Sequence, residues 1–320
     1  MNLLIQGDCR EELKKLKSES FVLVYSDVPF NTGKKQVLNS CSSVPSSEGT
    51  AGFGGKLYKH EVISTKSYDD SSDNFIEGFL RPVVTEARRV LAKNGTFALH
   101  VDWRLCHHAR LLLDETFGED CFVNHLIWSY NYGGRGKRCF PRKHDDILVY
   151  SKEPDGHVFN YEDIDRIPYK APSLQKTKER AERGQIPTDV WEMTIVPTNS
   201  KERKDVRWPT QKPLKLVRRI VTAFSNKGDR VLDFCAGSGT TGVAAHELGR
   251  EFTMIDNNQD AMQTMRERFD VANVQYDESC EDVEEEIVNP TEYWAKMQEL
   301  MNKMSPVKEI EDDFDIPPFV

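Results

Sequence analysis

Two short stretches hold the residues whose types and spacing could do chemistry. Tyr25–Gly33 reads YSDVPFNTG, where the apolar run Phe21–Tyr25 ends in an acid, an apolar residue, a proline and an aromatic. Asp27, Val28, Pro29 and Phe30 could form a corner that grips a flat polar group. The carboxylate accepts hydrogen bonds, Pro29 holds Val28 extended, and Phe30 offers a stacking face. A strand followed by an ordinary turn would read the same way. Farther on, Arg230–Thr241 reads RVLDFCAGSGTT. A buried strand runs into Asp233, then Gly237-Ser238-Gly239, then a helix start at Thr240. Glycines in such a turn let the backbone approach a ligand. Asp256 ends the next strand, 23 residues after Asp233, near the roughly 20-residue offset at which an acid meets a ribose in dinucleotide folds. The third glycine of G-x-G-x-x-G and the GK[ST] of a phosphate loop are both missing. An acid just before the loop would repel pyrophosphate and suit a cationic amino group. S-adenosyl-L-methionine, with its ammonium, carboxylate, ribose and adenine, meets that requirement; a structural strand–loop–helix is the plain alternative.

The elements around these stretches alternate. Strands are expected at Asn2–Gln6, Phe21–Tyr25, Thr96–Val101, Phe122–Tyr130, Asp146–Tyr150, Arg230–Phe234 and Glu251–Ile255. Helices are expected at Cys9–Leu16, Asp73–Leu91, His107–Phe117, Lys212–Phe224, Thr241–Leu248 and Gln259–Phe269. In the longest of these, Phe75, Phe79, Val83, Ala87 and Val90 share a face. Strands alternating with helices imply an α/β fold, a parallel sheet covered on both faces. Residues 34–57, rich in Ser and Gly, read as a mobile loop that either closes over the corner or is a surface insertion.

Composition sets outer limits. The chain has 320 residues, 38% hydrophobic and 30% charged, as expected of a globular protein with a real core. No apolar run approaches a membrane span, and the N-terminus turns charged too early for a signal peptide. Seven scattered cysteines without a C-x-x-C pair suggest reduced thiols in a cytosol, with neither a zinc site nor a disulfide framework. His107, His108 and His144 lack partners at metal-ligand spacing, so no metal is expected. The net charge of −9 argues against nucleic acid until it is located. Residues 277–320 carry net −11, which leaves residues 1–276 at net +2. The densest basic run, Arg135, Lys137, Arg138, Arg142 and Lys143, suits phosphate contact or a solvated loop. Trp103, Trp128 and Trp191 could meet a base but are more often core. Trp294, Met297, Leu300, Met301 and Met304 would line one face of a late helix, docking on its own domain or on a second subunit as a homodimer.

Taken in order, these segments resemble the beta class of DNA amino-methyltransferases, in which the catalytic motif precedes the cofactor motif. DVPF at 27–30 is similar to the family's D-P-P-Y, and DFCAGSGTT at 233–241 to its D-P-F-x-G-S-G-T-T. GDC at 7–9, residues 80–104 and 124–152, DVWEM at 189–193 and WPTQKP at 208–213 resemble the segments between and around them. Val28 departs from the family's first proline, Phe30 from its tyrosine, and Phe234 and Cys235 from its Pro-Phe. The resemblance implies a circularly permuted Rossmann-like fold. Its parts would be a catalytic half at 1–152, a target-recognition insert at 153–205, a cofactor half at 206–276 and an acidic helix and tail at 277–320.

The resemblance also implies a chemistry. S-adenosyl-L-methionine is the cofactor, double-stranded DNA the partner, and a bacterial or phage-infected cytoplasm the setting, as in restriction–modification. Asp27 and the Val28 carbonyl would take hydrogens from a flipped base's amino group, localising its lone pair, with Phe30 stacked on the ring. Asp233, Gly237 and Gly239 would lie near the methionine portion and Asp256 on the ribose, with Ser238 and Thr240 in the same cofactor loop and Cys235 beside the adenine ring. Asp8 and Cys9 would lie by the adenine; Thr210, Gln211 and Lys212 would close the methionine end. An aspartate opening the motif favours adenine as target. Cytosine is the first alternative, then a binding-only subunit with a weakened corner, then an RNA or protein substrate.

Overall fold

The computed structural model describes residues 1–278 apart from 52–56, 71–73, 134–135, 198–199 and 207. Arg135 and the helix expected around 291–304 lie outside the described residues. Ten strands are described: β1 Leu3–Gln6, β2 Phe21–Asp27, β3 Lys34–Ala51, β4 Leu57–Asp70, β5 Leu91–Asp102, β6 Phe122–Ser129, β7 His144–Ser151, β8 Val190–Glu192, β9 Arg230–Asp233 and β10 Glu251–Asp256. The helices are α1 Cys9–Lys15, α2 Arg81–Val90, α3 Cys106–Phe117, α4 Lys178–Arg183, α5 Lys201–Val206, α6 Leu214–Phe224, α7 Thr240–Glu247 and α8 Gln259–Val271. None of these helices is long and apolar enough to cross a membrane.

Eight strands form one sheet in the order β1-β10-β9-β2-β5-β7-β6-β8. It is parallel except where β7 runs against both β5 and β6. Helices α1, α2 and α3 bury Leu13, Val83, Ala87, Ala109 and Leu113 on one face. On the other, α6, α7 and α8 bury Leu216, Ile220, Ala244, Met262 and Phe269. Each buried face of this three-layer stack removes apolar surface worth about 25 cal/mol per Å² from water. β2 and β9 are neighbours although some 200 residues of chain separate them, pairing Leu23 with Val231 and Val24 with Leu232. The chain leaves β2 toward β5 and leaves β9 toward β10, so their carboxyl ends face a crevice. In open α/β sheets that crevice is where ligands bind.

Four expectations change. The stretch 34–57 is no loop: β3 and β4 pair antiparallel over most of their length. This ribbon stands outside the main sheet, and Val37 and Val62 on it are half exposed. With no core to face, it needs no alternation of apolar residues, so its composition resembles a loop. At its base, Asp70 accepts from Asn31 N at 2.8 Å and Thr32 Oγ1 at 2.6 Å. The helix expected over Asp73–Leu91 starts as a π-turn, Ile76–Leu80, before α2. Pro82 lacks the N–H that would continue the regular ladder, and Arg81 N donates five residues back to Ile76 O. β5 begins at Leu91, directly after α2, with a bulge between its Phe21 and Leu23 pairings that absorbs Asn94-Gly95. The stretch 153–205 also contributes to the sheet, since β8 pairs with β6 as its last strand.

Candidate active site

The carboxyl ends of β2, β9 and β10 open into a cavity of about 420 Å³. Asp8, Cys9, Asp27, Pro29, Thr210, Lys212, Asp233, Cys235, Gly237, Ser238, Thr240 and Asp256 all line it. Residues more than 200 positions apart in the chain thus share one cavity. Gln211, Gly239 and Phe30 are not on the lining: Gln211 Nε2 turns to Glu202 O at 3.2 Å, and Phe30 lines a separate cleft with Leu105 and His108. Val28 is buried in the core beneath the corner.

The glycine loop is held from below. Gly237 and Gly239 have φ of 50° and 70°, the left-handed region that suits glycine. A Cβ on Gly237 would lie 3.0 Å from Trp208 Nε1, and one on Gly239 2.8 Å from Met265 Cγ. Arg268, from α8, donates to Ser238 O at 2.9 Å and Thr240 Oγ1 at 2.8 Å. Asp233 accepts from Thr241 Oγ1 at 2.6 Å and Cys235 N at 3.1 Å. Burial outweighs those bonds and pushes its carboxyl up to about 7. Asp256 accepts from Gly237 N at 2.8 Å and Asn258 N at 2.9 Å, and burial raises it too. The Cys235 thiol is raised by its hydrogen bond with Cys9 and by burial. Asp8 caps α1, accepting from Arg10 N at 2.9 Å, and the Arg10 side chain lowers its carboxyl.

At the corner, Lys212 Nζ donates to Asp27 Oδ2. Asp27 Oδ1 is buried without a hydrogen-bond partner. An unsatisfied carboxylate oxygen inside a cavity is costly unless a ligand uses it. The Phe30 ring is stacked with His100, centroids 6.1 Å apart at 28°, and lies 5.2 Å from Lys212 Nζ. His100 is fully buried and is the cross-strand neighbour of Asp27. It meets Tyr25 Oη through Nδ1 at 2.9 Å and Asp145 Oδ2 through Nε2 at 3.3 Å. Tyr130 Oη donates to the other Asp145 oxygen at 3.0 Å. Burial alone would raise Asp145; His100, the Lys212 charge and Tyr130 outweigh it and lower its carboxyl.

His100, Tyr68 and Trp208 escape sequence reasoning. Tyr68 and Trp208 line the cavity with rings stacked 6.4 Å apart at 8°, and Tyr68 Oη lies 3.2 Å from Thr210 Oγ1. Trp208 stands inside WPTQKP, so a signal existed; Tyr68 sits at the end of the ribbon, where none did.

The basic run belongs to the turn between β6 and β7. Register places that turn at the same sheet edge as the corner, since Asp27 pairs with His100 and Asp102 with Asp145. Lys137, Arg138 and Arg142 are exposed, and Lys143 is half-buried. The Arg142 guanidinium lies 4.0 Å from the Trp103 ring centroid. Tyr132 and Phe140 in the same turn are exposed, Phe140 at 95%. Trp128 and Trp191 are core residues.

Fold, crevice, glycine loop and corner together define an amino-methyltransferase of DNA, and the chain belongs to the N6/N4 DNA methylase family, whose model matches residues 21–267. It is 30% identical over 267 residues to type II methyltransferase M.HpaI of Haemophilus parainfluenzae, covering 83% of this chain and 74% of that one. To DNA adenine methyltransferase YhdJ of Escherichia coli K12 it is 29% identical over 283 residues, covering 84% and 83%. Among solved structures, the cytosine-N4-specific PvuII DNA methyltransferase shares the fold with a TM-score of 0.58 at 14% identity, covering 84% of this chain and 86% of that one. TTHA0409 of Thermus thermophilus, complexed with S-adenosyl-L-methionine, does so at 0.55 and 20%, covering 88% and 99%.

Proposed function

We propose that this chain methylates the exocyclic amino nitrogen of adenine at a specific sequence in duplex DNA, after the base is flipped out of the helix. The observation that carries this reading is Asp27 Oδ1, buried and unpartnered, in the same cavity as the glycine loop. S-adenosyl-L-methionine, when bound, supplies an electrophilic sulfonium methyl. The cavity suits it: its volume lies in the range of small-molecule sites, and it offers carboxylates for an ammonium and a ribose. Asp233 faces the methionine ammonium, Asp256 the ribose, and Cys9 and Cys235 the adenine.

Asp27 Oδ1 and the Val28 carbonyl accept the two amino hydrogens of the base, drawing them from the ring plane and localising the nitrogen lone pair. Lys212 fixes the other Asp27 oxygen, so the free one is already aimed. Orientation of this kind supplies about 7–11 kcal/mol in favourable cases. Flipping costs a few kcal/mol, and stacking on Phe30 returns about 1–3 kcal/mol. The shed proton passes to Asp27 or to water. Lys137, Arg138, Arg142 and Lys143 contact phosphates, Arg142 from its seat on Trp103. Residues 153–205 read the sequence; Tyr161, Arg166, Tyr169, Arg180 and Arg183 form a cleft there.

The aspartate opening the corner and the likeness to an adenine methyltransferase support adenine as the base. Methylated DNA digested to nucleosides and weighed by mass spectrometry should show N6-methyladenine, with no product from Asp27→Ala. Finding N4-methylcytosine alone would overturn the choice of base. Equal, negligible transfer by wild type and Asp27→Ala would overturn the reading of the corner.

A further inference from the structure

We propose that Cys106, His125 and Asp146 form a binding site for a zinc-class divalent cation, on the face of the sheet that α3 covers. Three donor types from three elements converge there, all within 4.8 Å of one another. Cys106 opens α3, His125 lies on β6 and Asp146 on β7. His125 pairs with Leu148 and Ile127 with Asp146, so His125 and Asp146 are diagonal neighbours on one face. Strand alternation sends the adjacent Asp145 to the other face, where it meets His100.

The geometry favours coordination over two simpler accounts. A nucleophilic thiol–imidazole–carboxylate relay uses both ring nitrogens. Here Cys106 Sγ and Asp146 Oδ1 both address Nε2, at 3.7 and 2.6 Å. A plain ion pair would need only His125 and Asp146. Cys106 is buried, and its Sγ addresses, at 3.7 Å, a nitrogen already bonded to a carboxylate. The three donor atoms lie close enough together that a cation between them would use each. Zinc bonds of about 2.0–2.3 Å place tetrahedral ligands roughly 3.3–3.8 Å apart. The sulfur–nitrogen separation already matches. The nitrogen–oxygen contact opens when the proton between those atoms gives way to the ion. Binding releases that proton and the thiol proton. The His125 side chain is 39% exposed, which leaves a path for the ion and a fourth position for water. Thiolate, imidazole and carboxylate together select zinc over magnesium or calcium. An occupied site would tie α3, β6 and β7 together.

The test uses the full chain, stripped with chelator, reduced with a phosphine and titrated with Co(II). Wild type should develop thiolate-to-cobalt charge-transfer absorption and tetrahedral d–d bands at stoichiometric metal, both abolished by competing Zn(II). Cys106→Ser should remove the charge-transfer band, and His125→Gln should weaken binding about tenfold or more. Cys9→Ser, Cys139→Ser and Asp27→Asn should leave it intact, and circular dichroism checks that each variant is folded. No thiolate band in wild type, or a band that survives Cys106→Ser, would overturn the site.

Discussion

Replacing Asp27 by Asn separates what the corner does for chemistry from what it does for stability. The side chain keeps its shape and loses its charge, so Lys212 Nζ is left facing an amide. Lys212 is 9% exposed and Asp27 20%. Breaking a fully buried pair by removing one partner costs about 3–5 kcal/mol, and partial exposure brings the expectation here to about 2–3 kcal/mol. Removing one preorganised polar contact to a reacting group costs about 10²–10³ in kcat. Asp233 and Asp256 keep their own hydrogen-bond partners in this variant, so cofactor affinity should change less than the rate. The assays are urea unfolding, calorimetric titration with S-adenosyl-L-methionine, and single-turnover methyl transfer. Asp27→Asn with Lys212→Met should regain most of the lost stability, because no lone cation stays buried, and none of the lost rate. Near wild-type turnover in Asp27→Asn, or rate recovered together with stability in the double variant, would refute the reasoning.

Asp233 carries a pH signature. Its folded carboxyl is pushed up to about 7 by burial, against about 4 unfolded. The native state therefore holds more protons between these values, and the stability this group contributes falls as pH rises through about 7. A cationic ligand favours the ionised form, so cofactor affinity should weaken below pH 7, by at most about tenfold per unit, and Asp233→Asn should flatten the profile. A dissociation constant that is flat from pH 5 to about 8 would contradict the role given to Asp233. Gly239→Ala forces a side chain into the left-handed region and against Met265 and Phe269; unfolding should reveal about 2–3 kcal/mol of lost stability. Gly228→Ala, with φ of 88° and nothing within 4 Å, should lose only the backbone part, about 1–2 kcal/mol. Equal losses in the two variants would show that packing under the loop is irrelevant.

What could be read in advance follows from where a side chain's constraints lie. β2, β9 and β10 are buried on both faces, so their sequences are short apolar runs ending in acids, and their ends lie within two residues of expectation. Gly237 and Gly239 were legible because only glycine takes their φ cheaply. The ribbon was not, because β3 and β4 satisfy each other's backbone whatever their side chains. Lys212 was assigned to the methionine end and lines that cavity, yet it pairs with Asp27, a contact set by where the segment before α6 meets the end of β2. His100 reads as one more polar residue in an apolar strand until β7 brings Asp145 beneath it. Cys106, His125 and Asp146 have no telling spacing, since strand register alone makes them neighbours.

The neighbour relations of β1 bear on how the protein is made. Leu3–Gln6 pairs along its length with Thr253–Asp256, and Leu4 N donates to Asp277 O at 2.9 Å. A strand made early therefore waits for one made much later before its ladder closes. During synthesis, β2, β5, β7 and β6 can assemble early, while the glycine loop has no framework until β10 arrives. A nascent or truncated chain lacking the final strands would carry the Asp27 corner with no methyl donor beside it, and would leave DNA unmarked.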